Sequence, residues 1–405
     1  MDEQFKKYAQ LLLKGCLRIK KGQPLIVNAP VEAYEFIRIL SEEACKCGIN
    51  DIYFDWYDDE IKHSELKYFN EEGICNSRFW NKKIYDEYAF KDGAFLFLIS
   101  NGNTDMNDIQ SDKLMIASKH SLNTRARYRE MQENNQISWC IASVATKDWA
   151  NLIFNNQENN VYGLWEKIFE ICLVNMEDPI SEWQKKMKCN EEMCEKLNGL
   201  KIKELHYKNS LGTDLVIGVS SDALWCSGSS IINEEELIVN MPSYEVFTTP
   251  NKFLTEGIVY TSLPLVHQGV VIKDICLEFK DGKVVKYSAS EGVEELKNIL
   301  TMDSEAMMLG EAALVDKNSP INRSGLLFYE TLFDENAACH IALGRGFREC
   351  LVDGNNKSGE ELEKIGYNKS KNHVDIMIGT DDMQIVAVTY DNQEIEIFKN
   401  GSFVK

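Results

Sequence analysis

His373 and Asp375 stand two positions apart in NHVDIMIG (372–379), at the mouth of an apolar run that reads as a buried strand. Side chains alternate faces along a strand, so the imidazole and the carboxylate point the same way, together with Met377 and Gly379. Buried ionisable groups need a partner, and each other, a metal ion or a substrate could supply it. Of the six histidines in the chain, His340 is the other one that lies in an acidic and apolar setting, LFDENAACHIALG (332–344). That segment is expected to be a helix from about Asp334, acidic in its first turn and with Gly344 near its end. On such a helix Glu335 lies about 140° around the axis from His340 and reaches the same site only if the first turn is distorted. Taken alone, His340 reads as a buried histidine bonded to a carbonyl. Glu311 sits in the apolar stretch MMLGEAALVD (307–316), where an unpaired carboxylate is costly. Glu245, in NMPSYEVFTTP (240–250), is bracketed by Pro242 and Pro250, so a short extended segment presents it. By itself it reads as one half of an ordinary ion pair.

Together these residues form a nitrogen and oxygen donor set without cysteine, which suits zinc, cobalt, manganese or magnesium and excludes soft thiolate sites. Glu245, Glu311, Glu335 and Asp375 with two imidazoles exceed what one tetrahedral ion requires. They fit two ions ~3.5 to 4 Å apart, bridged by a carboxylate and an activated water. No compact zinc signature such as HExxH is present. His63, His120 and His206 lie in charged surroundings and read as surface residues, and His267 as a satisfied strand histidine.

The elements that must position these residues change character along the chain. FKKYAQLLLKGCLRI (5–19) has apolar residues at helical spacing, QPLIVNAP (23–30) follows as a strand, and VEAYEFIRILSEEACKCG (31–48) is an amphipathic helix stopped by Gly48. DIYFDWY (51–57), AFLFLIS (94–100) and SWCIASV (138–144) are near-continuous apolar runs, the pattern of strands buried on both faces and joined by helical crossovers. This predicts an N-terminal α/β domain with a mostly parallel sheet over 1–185. NAPVEA (28–33) follows the first strand in place of a Gly-x-Gly-x-x-Gly turn, and there is no phosphate-loop lysine, so nucleotide binding has no support. A charged helical region connects to a second domain, 186–405, where apolar and polar residues alternate and Asp281-Gly282 and Asn400-Gly401 read as tight hairpin turns. The expectation there is an α+β domain with a largely antiparallel sheet, carrying the candidate metal ligands and the catalytic role.

Composition narrows the partners. A chain of 405 residues exceeds the ~250 to 300 at which single cores stop growing. The longest apolar run, Ala94 to Ile99, falls far short of the ~20 residues of a membrane helix. The opening MDEQFKKYAQ is not a secretory signal, and the twelve cysteines show no CxxC pair, so a cytoplasmic protein with reduced thiols is expected. Forty-four basic against 64 acidic residues give a net charge of −20, which disfavours nucleic acid and membrane surfaces and favours a metal ion or a protonated amine.

NMPSYEVFTTP, GEAALV (310–315), LFDENAACHIALG and GYNKSKNHVDIMIG (366–379), in this order and at these separations, resemble the thermophilic aminopeptidases, the metallopeptidase family of aminopeptidase T and aminopeptidase S. YAQLLLKGCLRIKKGQPLIVNAPVEAYEFIRIL (8–40) and SWCIASVATKDWA (138–150) extend the resemblance over nearly the whole chain. It implies an α/β N-terminal domain, a C-terminal domain holding two divalent cations, a homodimer enclosing the active sites, and stepwise removal of N-terminal residues from a peptide substrate. By position, Glu245, Glu311, His340, His373 and Asp375 match the family's metal ligands, Glu311 being the implied bridge, and Glu335 matches a further acidic residue of the site. Where the family pattern ends in a tyrosine whose hydroxyl contributes to catalysis, this chain has Phe347. Losing one oxyanion donor costs on the order of 10²- to 10³-fold in turnover. Arg345 or a tyrosine from elsewhere could fill the gap, and Tyr244 stands where members often carry a second acidic residue. The resulting expectation is a cytoplasmic, homodimeric, two-metal aminopeptidase acting on short peptides, slowed by Phe347. Its rivals are a metal-binding homologue without peptidase activity and a non-catalytic peptide-binding protein.

Overall fold

The computed structural model describes residues 1–101, 108–155, 160–267 and 269–404. They form two compact units, Met1–Lys185 with Ser229–Pro242, and Lys186–Gly228 with Ser243–Lys405.

In the first unit the strands Leu25–Pro30, Ile52–Tyr57, Ala94–Ile99 and Trp139–Ser143 pair in parallel. From the edge their order is 52–57, 25–30, 94–99, 139–143, and Asn240–Met241 adds a fifth parallel strand. The interior strand Ala94–Ile99 is buried from Ala94 to Leu98, as a parallel sheet covered on both faces requires. The helix Tyr34–Lys46 buries Phe36, Ile37, Leu40 and Ala44 along one stripe and ends before Gly48, whose φ of +87° suits the left-handed position after a helix. The N-terminal helix is shorter than its pattern suggests. Regular α-helix covers Asp2–Gln10 and gives way to a π-helical turn over Leu11–Cys16.

Residues 229–242 depart from the reading that placed them in the second half. Ser229–Ile232 and Glu235–Ile238 form a hairpin through Asn233 and Glu234, both with positive φ. Ile232, Leu237 and Val239 then pack with Trp139. Apolar burial and the pairing of Asn240 with Ile141 draw this excursion into the first unit.

The second unit contains two large antiparallel sheets and a two-stranded antiparallel ribbon, Leu265–His267 with Val270–Ile272. One has eight strands in the order 283–288, 276–280, 250–260, 214–219, 202–208, 384–389, 394–399, 402–403. Its turns at Asp281-Gly282 (φ 49° and 79°) and Asn400-Gly401 (φ 49° and 72°) have the paired positive φ of two-residue hairpins, as their sequences predict. The other sheet runs His373–Met377, His340–Gly344, Leu309–Val315, Glu245–Thr248, Cys226–Ser227. Val246, Ala312, Leu314, Ile341, Leu343, Val374 and Ile376 of this sheet share one core with Leu205, Ile217, Val259 and Leu277 of the larger one. At roughly 1.5 to 3 kcal/mol per large buried side chain, this face contributes on the order of 10 kcal/mol as an upper estimate. Alternation turns the intervening residues, among them Glu245, Glu311, His340, His373 and Asp375, to the opposite face.

One element is corrected. The helix expected from Asp334 is only a short turn over Thr331–Asp334, and His340 opens a strand. Alanine and leucine favour helix, but Ala313 pairs with His340 and Ala312 with Ile341, while Met377 and Ile376 close the other side. Two flanking ladders and a buried apolar face outweigh local helix propensity, which is worth only tenths of a kcal/mol per residue.

Candidate metal centre

Four adjacent strands deliver the donors. Glu311 pairs with Ala342 and Ala342 with Asp375, so the two carboxylates flank a methyl group and can lean over it toward each other. The register shifts by one residue between Leu309 and Glu311, at Gly310. A Cβ on Gly310 would lie 2.2 Å from the Gly344 carbonyl oxygen, so only glycine allows this close approach. Glu245 begins its strand with its backbone held on both sides: the Tyr244 N–H donates to Asn336 Oδ1 at 2.5 Å, and Asn190 Nδ2 donates to the Glu245 carbonyl at 3.3 Å.

The side chains meet in two triads that share Glu311. Donor atoms of Glu245, Glu311 and His340 all lie within 4.8 Å of one another, as do those of Glu311, His373 and Asp375. Glu311 turns a different oxygen to each histidine: Oε1 lies 4.0 Å from His340 Nε2 and Oε2 lies 3.2 Å from His373 Nε2. His340 Nε2 is 3.2 Å from Glu245 Oε2, and His373 Nε2 is 3.3 Å from Asp375 Oδ1. All are buried except His373, whose side chain is 22% exposed and gives the site its open side.

The second ring nitrogens set the tautomers. His340 Nδ1 lies 3.2 Å from the Ala338 carbonyl and His373 Nδ1 2.7 Å from that of Arg345. Carbonyls only accept, so each Nδ1 carries a proton and each Nε2 faces carboxylate oxygens. A lone pair aimed at an anion is repulsive unless a cation lies between them. A proton can serve: burial opposes the charged ring, but Glu245 and Glu311 outweigh it and push His340 up to about 10, and Asp375 and Glu311 raise His373 as well. Burial also pushes Glu311 up to about 7, against the pull of His373 and His340.

A metal fits the arrangement better than protons alone. Glu245 Oε2 and Asp375 Oδ1 are buried beside these imidazoles in directions that make no hydrogen bond. Two orphaned carboxylate oxygens, two imidazole nitrogens and a shared carboxylate are the donor chemistry of borderline-hard divalent cations. Glu335 belongs to neither triad. Its Oε1 lies 3.5 Å from Asn336 Nδ2, and burial followed by the charges of Glu245 and Asp375 raises its pKa well above the usual range. It is therefore a protonatable neighbour of the set.

Phe347 follows the left-handed Gly344 and packs its ring edge-on against His373, centroids 5.0 Å apart, and against Phe247 at 5.3 Å. Thr249 Oγ1 accepts from the Phe347 N–H at 2.8 Å and donates to its carbonyl at 3.1 Å, fixing the ring beside the triads. Tyr244 stays beside Glu245 in sequence, and its ring lies under the Lys186 ammonium at 5.2 Å. The sequence reading missed the supporting amides Asn190 and Asn336. Asn336 offered a signal, an asparagine next to the apolar run Ala337–Leu343, where a buried amide needs partners, whereas Asn190 lies in the charged helix Pro179–Gly199 and offered none.

The family described as thermophilic metalloprotease (M29) matches residues 1–403. Aminopeptidase 2 of Geobacillus stearothermophilus is 34% identical over 405 residues, covering 99% of this chain and 98% of that protein. Aminopeptidase AmpS of Bacillus subtilis (strain 168) is 33% identical over 406 residues, with coverage of 99% and 98%. The solved structure of wild-type AmpT from Thermus thermophilus superposes with a TM-score of 0.92 at 32% identity over 99% of each chain. A 2,5-dihydroxypyridine dioxygenase from Pseudomonas putida KT2440, at TM-score 0.52 and 12% identity, shares the fold alone.

Proposed function

Because the chain belongs to the thermophilic metalloprotease family M29 and is a metal-dependent aminopeptidase, we propose that Glu245, Glu311, His340, His373 and Asp375 hold two divalent cations, with Glu311 shared between them. The observation that carries this reading is the division of Glu311, one oxygen toward each histidine, in a face with two orphaned carboxylate oxygens. Cations held there would polarise the scissile carbonyl and lower the pKa of a water. The Ala338 and Arg345 carbonyls hold both imidazoles with Nε2 toward the site. Glu335, beside the triads and within hydrogen-bond reach of Asn336, would in its ionised form take a proton from the attacking water on a carboxylate oxygen and return it to the leaving amine nitrogen. The carboxylates left over after cation binding attract the protonated N-terminus of a short peptide. Zinc, cobalt, manganese and magnesium all suit the donors.

Phe347 offers no hydroxyl beside His373, so we expect a slow enzyme and a gain of tenfold or more in kcat for Phe347→Tyr, within the 10²- to 10³-fold value of one oxyanion donor. The reading extends to a cytoplasmic homodimer, which sedimentation velocity tests. No helix among the described residues is long and apolar enough to cross a membrane.

The decisive experiment strips the protein with a chelator, reloads it with cobalt or zinc, counts ions per chain and follows hydrolysis of leucine p-nitroanilide. Two ions per chain and metal-dependent hydrolysis are expected, with both ions weakened by Glu311→Ala and one lost in His340→Ala. Full occupancy in both variants would refute the ligand assignment. Silence of wild type and Phe347→Tyr with every metal would count against peptidase action at this site.

A further inference from the structure

The first unit has a cavity of its own, about 250 Å³, whose lining residues all belong to that unit. It lies along the edge strand Ile52–Tyr57 and is walled by residues of the helices Asp59–Tyr68, Phe79–Phe90 and Ser111–Thr124. Its volume is below the ~300 Å³ at which drug-sized sites begin, so it suits a molecule of amino-acid size rather than a nucleotide.

The polar floor has one anion that is satisfied and one cation that is not. Asp55 accepts from Asn81 Nδ2 at 3.2 Å, Tyr85 OH at 2.9 Å, Asn28 Nδ2 at 3.2 Å and Arg125 Nη2 at 3.4 Å, so both its oxygens are engaged. Arg125 is in the opposite position. A guanidinium has five N–H donors, yet among the described residues only Asp55 accepts from this one, at that long distance. The rings of Tyr85 and Phe97 lie 4.9 and 5.4 Å from its central carbon and hold the group in place, and the side chain remains 31% exposed. A guanidinium fixed by stacking with unspent donors is a preorganised fork for a carboxylate.

The other charges of the lining do not compete for that role. Arg78 is spent on a two-pronged pair with Glu65, 2.9 Å on each side, and Asp58 caps its helix through the Ile61 N–H. Lys62 lines the same cavity without an ion pair among the described residues and adds a second positive charge. The same lining includes the buried Leu66 and Ile74 and the more exposed Phe69, an apolar surface for the rest of the ligand.

We propose that this cavity binds a small carboxylate with an apolar side chain, the carboxylate on Arg125 and the side chain against Leu66, Phe69 and Ile74. Apolar amino acids, which an aminopeptidase releases, belong to this class, so the cavity would take the product of the reaction. That link rests on the aminopeptidase reading; the carboxylate site itself does not.

The test is equilibrium dialysis on the full chain, treated with chelator and carrying His373→Ala, so that the metal centre cannot contribute. Phenylalanine and 3-phenylpropionate should each bind once per chain, and phenylalaninamide, which lacks the carboxylate, at least tenfold more weakly. Arg125→Gln should weaken phenylalanine at least tenfold. Because that change leaves Asp55 without its cation, Ala117→Phe, which fills the cavity from the helix Ser111–Thr124, serves as the second variant. It should abolish binding while circular dichroism and Tm stay unchanged. Failure of the parent to bind at about 10 mM, a ligand concentration that would reveal millimolar affinity, would overturn the proposal. So would equal binding of the amide, or unaltered affinity in a folded Ala117→Phe variant. Loss of metal-dependent hydrolysis in the wild type with dialysis binding intact would sink the aminopeptidase reading and leave this site standing.

Discussion

At His340 and His373 the location of a single proton decides what the site can hold. With no cation bound, neighbouring carboxylates keep His340 protonated up to about pH 10, so a metal arriving at pH 7 must displace that proton. Metal affinity should therefore fall as pH falls, by up to about tenfold per unit for each proton displaced. Titration calorimetry in buffers of different ionisation heat should show at least one proton released per chain, and a release of none would contradict the geometry. Asn336 acts one step further out. It accepts from the Tyr244 N–H beside Glu245, and its Nδ2 donates to the Leu332 carbonyl at 3.0 Å and contacts Glu335 Oε1 at 3.5 Å. Asn336→Asp keeps the acceptor and replaces the donor with an anion facing Glu335. We expect kcat to drop tenfold or more with KM and metal content nearly unchanged; a fall in metal content instead would show that Asn336 serves Glu245 rather than Glu335.

At the scale of single elements, the strand bearing His373 and Asp375 was legible because alternation is a local signal, and so were the two Gly-containing hairpins. The His340 strand was not, because its alanines and leucine satisfy a helix and its strand character comes from ladders to residues 312–313 and 376–377. The same remoteness left the placement of Glu335 open. Its distance from the triads depends on where a short helical turn ends, which no spacing rule specifies. Of the six acidic and imidazole side chains singled out from sequence, the fold gathers five into the triads and sets the sixth beside them. Gly310 carries the sharpest consequence at this scale. Gly310→Ala would drive a methyl into the Gly344 carbonyl, and overpacking of this kind typically costs 1 to 3 kcal/mol. A urea melt should move by about that amount, and metal affinity should fall with it as Glu311 loses its register.

For the whole molecule, architecture and chemistry are separable. A dioxygenase shares this fold at 12% identity, so the fold does not dictate the reaction and the side chains on one sheet face must. Those side chains also bear on stability, since cations that bind only the folded state stabilise it by mass action. At a free metal concentration 1,000 times Kd the gain is about 4.1 kcal/mol. A chelated sample should melt several degrees lower, and His373→Ala should shrink that difference. The return of residues 229–242 to the first unit means the chain passes between units at 185–186, 228–229 and 242–243. During synthesis the parallel sheet cannot acquire its last edge strand until the ribosome has translated past Met241, by which time more than forty residues of the second unit, 186–228, have already emerged or are emerging. The two units are thus braided in time as well as in connectivity, and a gene cut at codon 186 would deliver one fragment missing an edge and another trailing a hairpin that belongs elsewhere.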